Sequence, residues 1–275
     1  MSRVMSPFKH HQTEMIEKII RIAYEAGKII MDIYNTDFNV DYKDDNSPLT
    51  KADKLANDHI VDALKIDYPN MAILAEESAD DLRRLAYDYC WLVDPLDGTK
   101  EFIKRNGEFS VNIALTYKHR PVLGVIYIPV RDEVYHACQG QGAYFIEGFS
   151  LHGDVNKSIR IQVTSKTDNL IMLHSRSHQH PIIDRLIEMN KEKIGEIVHA
   201  GSSIKGCLIA KGEADIYYRF GLTMEWDTAA MQCIIEEAGG MLRQMDDTEM
   251  TYNRKDSTNH KGFYILNRLE NKLTL

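Results

Sequence analysis

The chain lacks paired cysteines, long apolar runs, internal repeats and any surplus of positive charge. Each absence closes off a class of protein. The four cysteines, Cys90, Cys138, Cys207 and Cys233, are scattered with no C-x-x-C pair. This argues against a disulfide framework or a thiolate zinc site and leaves reduced thiols in a packed interior. No apolar stretch approaches the roughly 20 residues needed to span a bilayer, so no integral membrane segment is expected. Residues 1–11 are polar and lack the apolar core of a secretory leader. His10 and His11 lie in that tail and are read as incidental. The expected location is the cytoplasm, with a peripheral seat on the cytoplasmic face of the inner membrane left open. Lysine and arginine number 33 against 41 aspartates and glutamates, a formal net charge of −8. A protein held by nucleic-acid backbone contacts needs a basic face, so no nucleic-acid partner is expected. A small anionic substrate remains open, because a local cluster of metal and Arg/Lys overrides the net field.

What is present is an ordinary globular composition, 44% hydrophobic and 27% charged over 275 residues. That length suits one large domain or two packed halves. Apolar spacing predicts helices over 14–33 and 51–65. Strands are expected at 71–75 and 89–93, the second ending in Asp94, then at 110–116, 122–128 and 133–137. His119-Arg120-Pro121 is the expected hairpin turn. The second part alternates strands near 170–173, 197–199 and 214–218 with helices near 181–189, 204–210 and 226–238, and closes with strands near 241–243 and 262–266. The stretch 147–157 is the expected boundary, dividing the chain into halves 1–152 and 153–275. The class is α/β or α+β, with layered helices and sheets.

Three acidic clusters stand where these elements begin or end: Glu76-Glu77, Asp94/Asp97 and Glu225-Trp226-Asp227. Surface strand ends and first turns of helices are often acidic, which suffices for Glu76-Glu77 alone. It does not suffice for Trp91-Leu92-Val93-Asp94-Pro95-Leu96-Asp97-Gly98-Thr99, where an apolar run is aimed into two aspartates. Like charges that close repel unless a cation sits between them. Crowded hard oxygen ligands suit Mg²⁺, which keeps places open for water and substrate phosphate. Gly98 permits close backbone approach to a ligand.

These residues carry a resemblance. The stretch 91–99 and Trp226-Asp227-Thr228-Ala229-Ala230 resemble the signatures of the inositol monophosphatase superfamily of Mg²⁺-dependent, lithium-sensitive phosphatases. Ala75-Glu76-Glu77-Ser78 belongs to the same likeness, which runs from the first helix to the C-terminus. Within the superfamily the chain is most similar to the 3′(2′),5′-bisphosphate nucleotidase branch of CysQ type. The residues that carry this are 46–53, 94–128, Ser175-Arg176-Ser177-His178, Gly201-Ser202-Ser203-Ile204-Lys205 and Tyr218-Arg219-Phe220-Gly221. A plain inositol phosphatase usually has Thr-Asn-Phe after its Asp-Gly-Thr, whereas here Lys100-Glu101-Phe102 follows.

The resemblance implies a layered αβαβα sandwich of the inositol monophosphatase and fructose-1,6-bisphosphatase type, with the site between the halves. It implies metal carboxylates at Glu76, Asp94, Asp97 and Asp227, with the Leu96 carbonyl as a further ligand and Asp94 bridging. Glu77 would support this set from beside it. The cofactor would be Mg²⁺, about two or three ions per site. Thr99 and Asp53 would form a hydrogen-bonded pair that, with Glu76, orients and deprotonates the attacking water. Gly98 and Thr99 would hold the phosphate through backbone N–H groups. Ser202, Lys205 and Arg219 would take the ribose and second phosphate, with His178 near the base or sugar, and Asp227 would also face substrate. His136 and His199 are read as structural, and Trp226 as packing that fixes Asp227. Gly206 stands where many close relatives carry a bulky aromatic residue, which implies a looser pocket wall.

The implied reaction converts adenosine 3′,5′-bisphosphate to AMP and phosphate, clearing an inhibitory by-product of sulfate assimilation. The alternatives are an inositol-1-phosphate or fructose-1,6-bisphosphate phosphatase with the same metals, and a non-catalytic nucleotide or metal sensor. The last is disfavoured because every metal carboxylate and the Thr are present. Relatives include monomers and dimers, so a homodimer stays open.

Overall fold

The computed structural model describes residues 12–43, 48–177 and 180–275. In chain order the elements are α1 (Gln12–Tyr34), β1 (Val40–Tyr42), β2 (Pro48–Thr50), α2 (Lys51–Asp67), β3 (Ala72–Ala75), β4 (Tyr89–Asp97), α3 (Thr99–Ile103), β5 (Ser110–Tyr117), β6 (Arg120–Ile128), β7 (Glu133–Cys138) and β8 (Gly142–Glu147). There follow α4 (Phe149–His152), β9 (Ile159–Ile161), β10 (Leu170–Ser175), α5 (Pro181–Met189), β11 (Ile194–Ala200), α6 (Ile204–Ala210), β12 (Ile216–Arg219), α7 (Glu225–Glu237), β13 (Met241–Gln244) and β14 (Phe263–Leu266).

Two sheets organise the molecule. One has seven strands in the order β3-β4-β5-β6-β7-β8-β9, and the other has five in the order β11-β10-β12-β14-β13. The period-2 alternation of β4 explains the layering. Trp91 and Val93 join a core with the apolar stripes of α1 and α2. Cys90 and Leu92 face the opposite way, into a core shared with α6, α7 and the five-stranded sheet. A third core seats Ile183 and Leu186 of α5 on Leu170, Met172 and Ile216. The layers therefore read α1/α2, sheet, α6/α7, sheet, α5, which is the expected αβαβα sandwich. All four cysteines are buried in it.

The packing of α7 is set by an absent side chain. A Cβ on Gly124 of β6 would lie 2.6 Å from the Ala230 carbonyl oxygen. Glycine there lets the helix backbone rest on the sheet, which brings the N-terminus of α7 towards the end of β4.

Three local expectations are corrected. Strand β4 does not stop at Asp94 but runs to Asp97, because an irregularity in its pairing with β5 between Asp94 and Asp97 accommodates Pro95. The β5–β6 turn is Lys118-His119, with φ +46° and +65°, and Arg120 and Pro121 already pair with β5. Within 147–157 lies α4, whose Phe149 is buried edge-on against Tyr24 of α1. The larger sheet continues through β9, so its last strand lies beyond residue 152.

Candidate active site

The ends of β3, β4, β11 and β12 and the N-terminus of α7 converge on one cavity of about 640 Å³. Glu76, Asp97, Gly98, Thr99, Lys205, Arg219 and Asp227 line it. Asp94 lies buried beneath, only 2% exposed. Of the residues expected from sequence, His178 lies outside the described residues, as do Asn46 and Ser47.

Asp53 owes its position to a helix cap. Thr50 caps α2, and Asp53 closes the capping box, its Oδ2 accepting from Thr50 N at 2.7 Å and Thr50 Oγ1 at 2.6 Å. Its other oxygen, Oδ1, faces Thr99 Oγ1 at 3.0 Å, and that hydroxyl also lies 3.2 Å from the Leu96 carbonyl. The expected Asp53–Thr99 pair is therefore formed, in a setting where burial holds the Asp53 carboxyl above its usual range. Gly98, at φ +93°, turns the chain from β4 into α3, and its missing Cβ leaves room for the Glu108 carbonyl and Ser202.

The carboxylates differ in how they are held. Asp94 accepts from Leu96 N at 3.1 Å and lies against the Glu76 carboxyl. Burial, then Glu76, Asp97 and Asp227, push its pKa far up. Asp227 accepts from Met224 N at 2.8 Å, and burial with the charges of Asp97 and Glu76 pushes it up to about 8. Asp97 is tied down. Its Oδ2 accepts from Ser202 Oγ at 2.7 Å, Ser203 N at 2.6 Å, Ser203 Oγ at 2.7 Å and Asn112 Nδ2 at 3.3 Å. Glu76 and Glu77 share Lys43, whose ammonium donates to Glu76 at 2.7 Å and to Glu77. Burial still pushes Glu77 up to about 7.

Among the described residues no three of these side chains already stand as a ligand sphere. Several are engaged in the internal bonds just given. The charge balance nonetheless fits a cation. Four acidic groups press on one another at the cleft, and burial with their mutual repulsion pushes the pKa of Asp94 and of Asp227 well up for want of positive charge. Hard carboxylate oxygens of this kind suit a divalent oxygen-seeking metal.

The opposite wall carries the cations. Burial pushes Lys205 down to about 8, and its Nζ donates to Ser202 O at 2.6 Å and Ala200 O at 3.3 Å. Arg219 donates from Nη2 to Leu222 O at 3.3 Å, while its buried Nε has no partner among the described residues. Gly206 does not open the wall as expected. A Cβ there would lie 2.2 Å from Met231 Cγ, so the Met231 thioether fills that space and itself lines the cavity. Trp226 is half-buried and also lines the cavity rather than packing wholly inside. His136 is buried, bonded to Ser158 and pushed down to about 4, a structural histidine. His199 is exposed and stands edge-on to His174.

This geometry has known counterparts. The model of the inositol monophosphatase family matches residues 11–271. The chain belongs to the inositol monophosphatase family. A 3′(2′),5′-bisphosphate nucleotidase CysQ of Salmonella typhimurium is 40% identical over 257 residues, covering 91% of this chain and 99% of that protein. Its namesake from Buchnera aphidicola is 39% identical over 256 residues, covering 91% and 93%. The crystal structure of CysQ from Bacteroides thetaiotaomicron superposes with a TM-score of 0.82 at 40% identity, covering 94% of this chain and 99% of that one. No helix among the described residues is long and apolar enough to cross a membrane.

Sequence reasoning missed several contributors to the cleft. Lys43 carries no signal, because its partners lie far along the chain. Ser110 and Asn112 do: they are polar positions on one face of a buried strand whose other face is Val111 and Ile113. Asn112 also donates to Ser203 Oγ at 2.9 Å, and Ser110 bonds both Asn112 and Ser202. Glu225, fully buried, anchors the start of α7 through Asn253 N and the Arg254 side chain.

Proposed function

We propose that the chain is a Mg²⁺-dependent phosphomonoesterase that removes the 3′-phosphate of adenosine 3′,5′-bisphosphate, giving AMP and phosphate. The observation that carries the substrate choice is Arg219. Its guanidinium lies in the same cavity as Asp97, Gly98 and Thr99, and its Nε is buried without a partner among the described residues. A buried unpartnered donor of a permanent cation calls for an anion, and a planar guanidinium suits a phosphate. A bisphosphorylated substrate supplies one phosphate to the carboxylate side and a second to Arg219. The names borne by the relatives agree with this reading.

Glu76, Asp94, Asp97, the Leu96 carbonyl and Asp227 would hold the ions, about two or three per site. Bound Mg²⁺ would supply an acidified water and positive charge for the attacked phosphoryl group and the ribose leaving oxygen. Asp53 holds Thr99 in place, and the Thr99 hydroxyl orients the water, with Glu76 as the nearby carboxylate that receives a proton. The backbone N–H groups of Gly98 and Thr99 would hold the reacting phosphate, and Ser202 would face the sugar. The negative carboxylate floor repels a bare phosphate, which ties substrate entry to cation binding.

A substrate panel tests the assignment. Arg219→Ala is expected to lower kcat/KM for adenosine 3′,5′-bisphosphate by about ten- to a hundredfold, as for loss of a charged hydrogen bond. Inositol-1-phosphate and fructose-1,6-bisphosphate hydrolysis should change far less. Equal losses on all three would remove the support for a nucleotide substrate.

A further inference from the structure

Arg84 is 2% exposed and does not line the cleft. It sits in a short 3₁₀ helix (Leu82–Ala86) that follows Glu76-Glu77 in the chain. A buried guanidinium is costly unless its fork of donors is met. Here it is met on two sides. Nε donates to Asp80 Oδ1 at 2.6 Å and Nη2 to Asp80 Oδ2 at 2.9 Å, in the segment that leads away from Glu76-Glu77. Nη1 donates to Asn253 Oδ1 at 2.8 Å and Nη2 to Arg254 O at 2.8 Å, far along the chain. Asn253 Nδ2 returns a bond to Arg84 O at 3.0 Å, so the two residues hold each other through side chain and backbone.

Residues 253–259 in turn clip the N-terminus of α7. Asn253 N and Arg254 N donate to the two oxygens of the fully buried Glu225, at 2.5 and 2.9 Å, and Arg254 Nε donates to the same carboxylate at 3.0 Å. Glu225 N donates to Ser257 O at 2.9 Å, and Asn259 Nδ2 donates to Met224 O at 2.8 Å. Asp227 stands in this same first turn, and its own capping bond comes from Met224 N. The clip therefore fixes the start of the helix that carries Asp227, and Arg84 fixes the clip. The cleft gives this connection something to resist. Glu76 and Asp227 both press on Asp94, and Glu76 presses on Asp227. Like charges push their two segments apart unless a tie outside the cleft holds them.

We propose that Arg84 is a positioning residue for metal binding: by joining the segment after Glu76 to the clip on α7, it sets the spacing of the Glu76 and Asp227 carboxylates. The inference rests on the metal assignment of those two residues given above.

Mg²⁺ binding, measured by calorimetry without substrate, tests it in Arg84→Lys and Asn253→Gly. Lysine keeps the charge, but one ammonium cannot span Asp80, Asn253 and Arg254 as the planar fork does. Glycine keeps the φ of +54° at 253 and the N–H that Glu225 accepts, and removes only the amide that Arg84 holds. Arg84→Lys is expected to weaken Mg²⁺ binding by about tenfold, as for other groups that orient a metal ligand, and Asn253→Gly by less. Placed on Asp227→Asn, where the positioned ligand is already lost, Arg84→Lys should weaken binding by less than about twofold more. Placed on Asp97→Asn it should keep its full effect, because Asp97 is held by Ser202, Ser203 and Asn112 instead. Unchanged affinity in folded Arg84→Lys, or the same loss on every background as general loosening would give, would overturn the proposal. Should Arg84→Lys fail to fold, Asn253→Gly goes through the same two backgrounds and decides it. Full Mg²⁺ affinity in Asp227→Asn by itself would overturn the metal assignment and this inference together. A loss there with none in Arg84→Lys would overturn the inference alone.

Discussion

Asp94 and Asp97 leave one strand three residues apart and end in opposite surroundings. Asp94 lies beneath the cleft with a single backbone donor and other carboxylates around it, and its pKa is forced far up. Asp97 stands at the rim and accepts four donors on one oxygen. The first is a carboxyl short of positive charge. The second is a carboxylate held in one orientation, by Asn112 and by Ser202 and Ser203 from far along the chain. A metal site needs both: uncompensated charge to attract the ion, and fixed direction to give it geometry.

The largest test of that contrast is Asp94→Asn. Removing the buried charge is expected to cost several kcal/mol of transition-state stabilisation, about a thousandfold or more in kcat. The same change should raise the melting temperature of the metal-free protein, because it removes the cost of burying a carboxyl and of placing it beside Glu76, Asp97 and Asp227. Circular dichroism melts with and without Mg²⁺, beside a phosphate-release assay, read both effects. Retained turnover would sink the metal role of Asp94. A lower metal-free melting temperature would mean that its charge is compensated.

A pH titration sharpens the contrast next. Asp227 is pushed up to about 8, against an unfolded value near about 3.9. Between those values the native state holds a proton that the unfolded chain has released. The stability of the metal-free protein should therefore fall as pH rises through that window, the loss being complete above about 8. Mg²⁺ must displace such protons, so its affinity should rise over the same window by up to about tenfold per pH unit for each proton released. Calorimetric Mg²⁺ titrations on both sides of neutrality check this. A flat affinity would mean that the carboxylates are already ionised and paired.

How far the sequence foretold this site depended on how local each cause was. The helices α1 and α2 and the strands of both sheets apart from β8 and β9 followed from apolar periodicity. Asp53, Thr99 and the acidic ends of β3 and β4 each lay in a contiguous motif, and the family resemblance supplied the pairing of Asp53 with Thr99 across 46 residues. The β5–β6 turn was misplaced because Lys118-His119 carries none of the Asn-Gly or Gly chemistry that marks two positive φ values. Strand β4 was cut short because Pro95 reads as a breaker until its irregular pairing is seen. What could not be read was pairing between segments far apart in sequence. Nothing near Asp97 announces Ser203, nothing near Lys43 announces Glu76, and the anchoring of α7 by Glu225 needs a loop that arrives after the helix.

The smallest expected effect concerns the wall opposite the carboxylates, where geometry is set by volume rather than charge. Gly206 and Met231 behave as one unit, because the space a side chain at 206 would claim is occupied by the Met231 thioether. Gly206→Ala should therefore force Met231 out of its place and destabilise the fold by about 1–3 kcal/mol, the usual cost of overpacking. Methionine is flexible, so the displaced thioether should move into the cleft it already lines and raise KM for the nucleotide more than it lowers kcat. Met231→Ala alone leaves a void. The double variant Gly206→Ala with Met231→Ala should recover part of both losses, a coupling that a double-mutant cycle on melting temperature and KM measures directly. Strict additivity would mean that the two residues act separately. The depth of the pocket would then be set by Trp226 and Phe263, which line the same cavity.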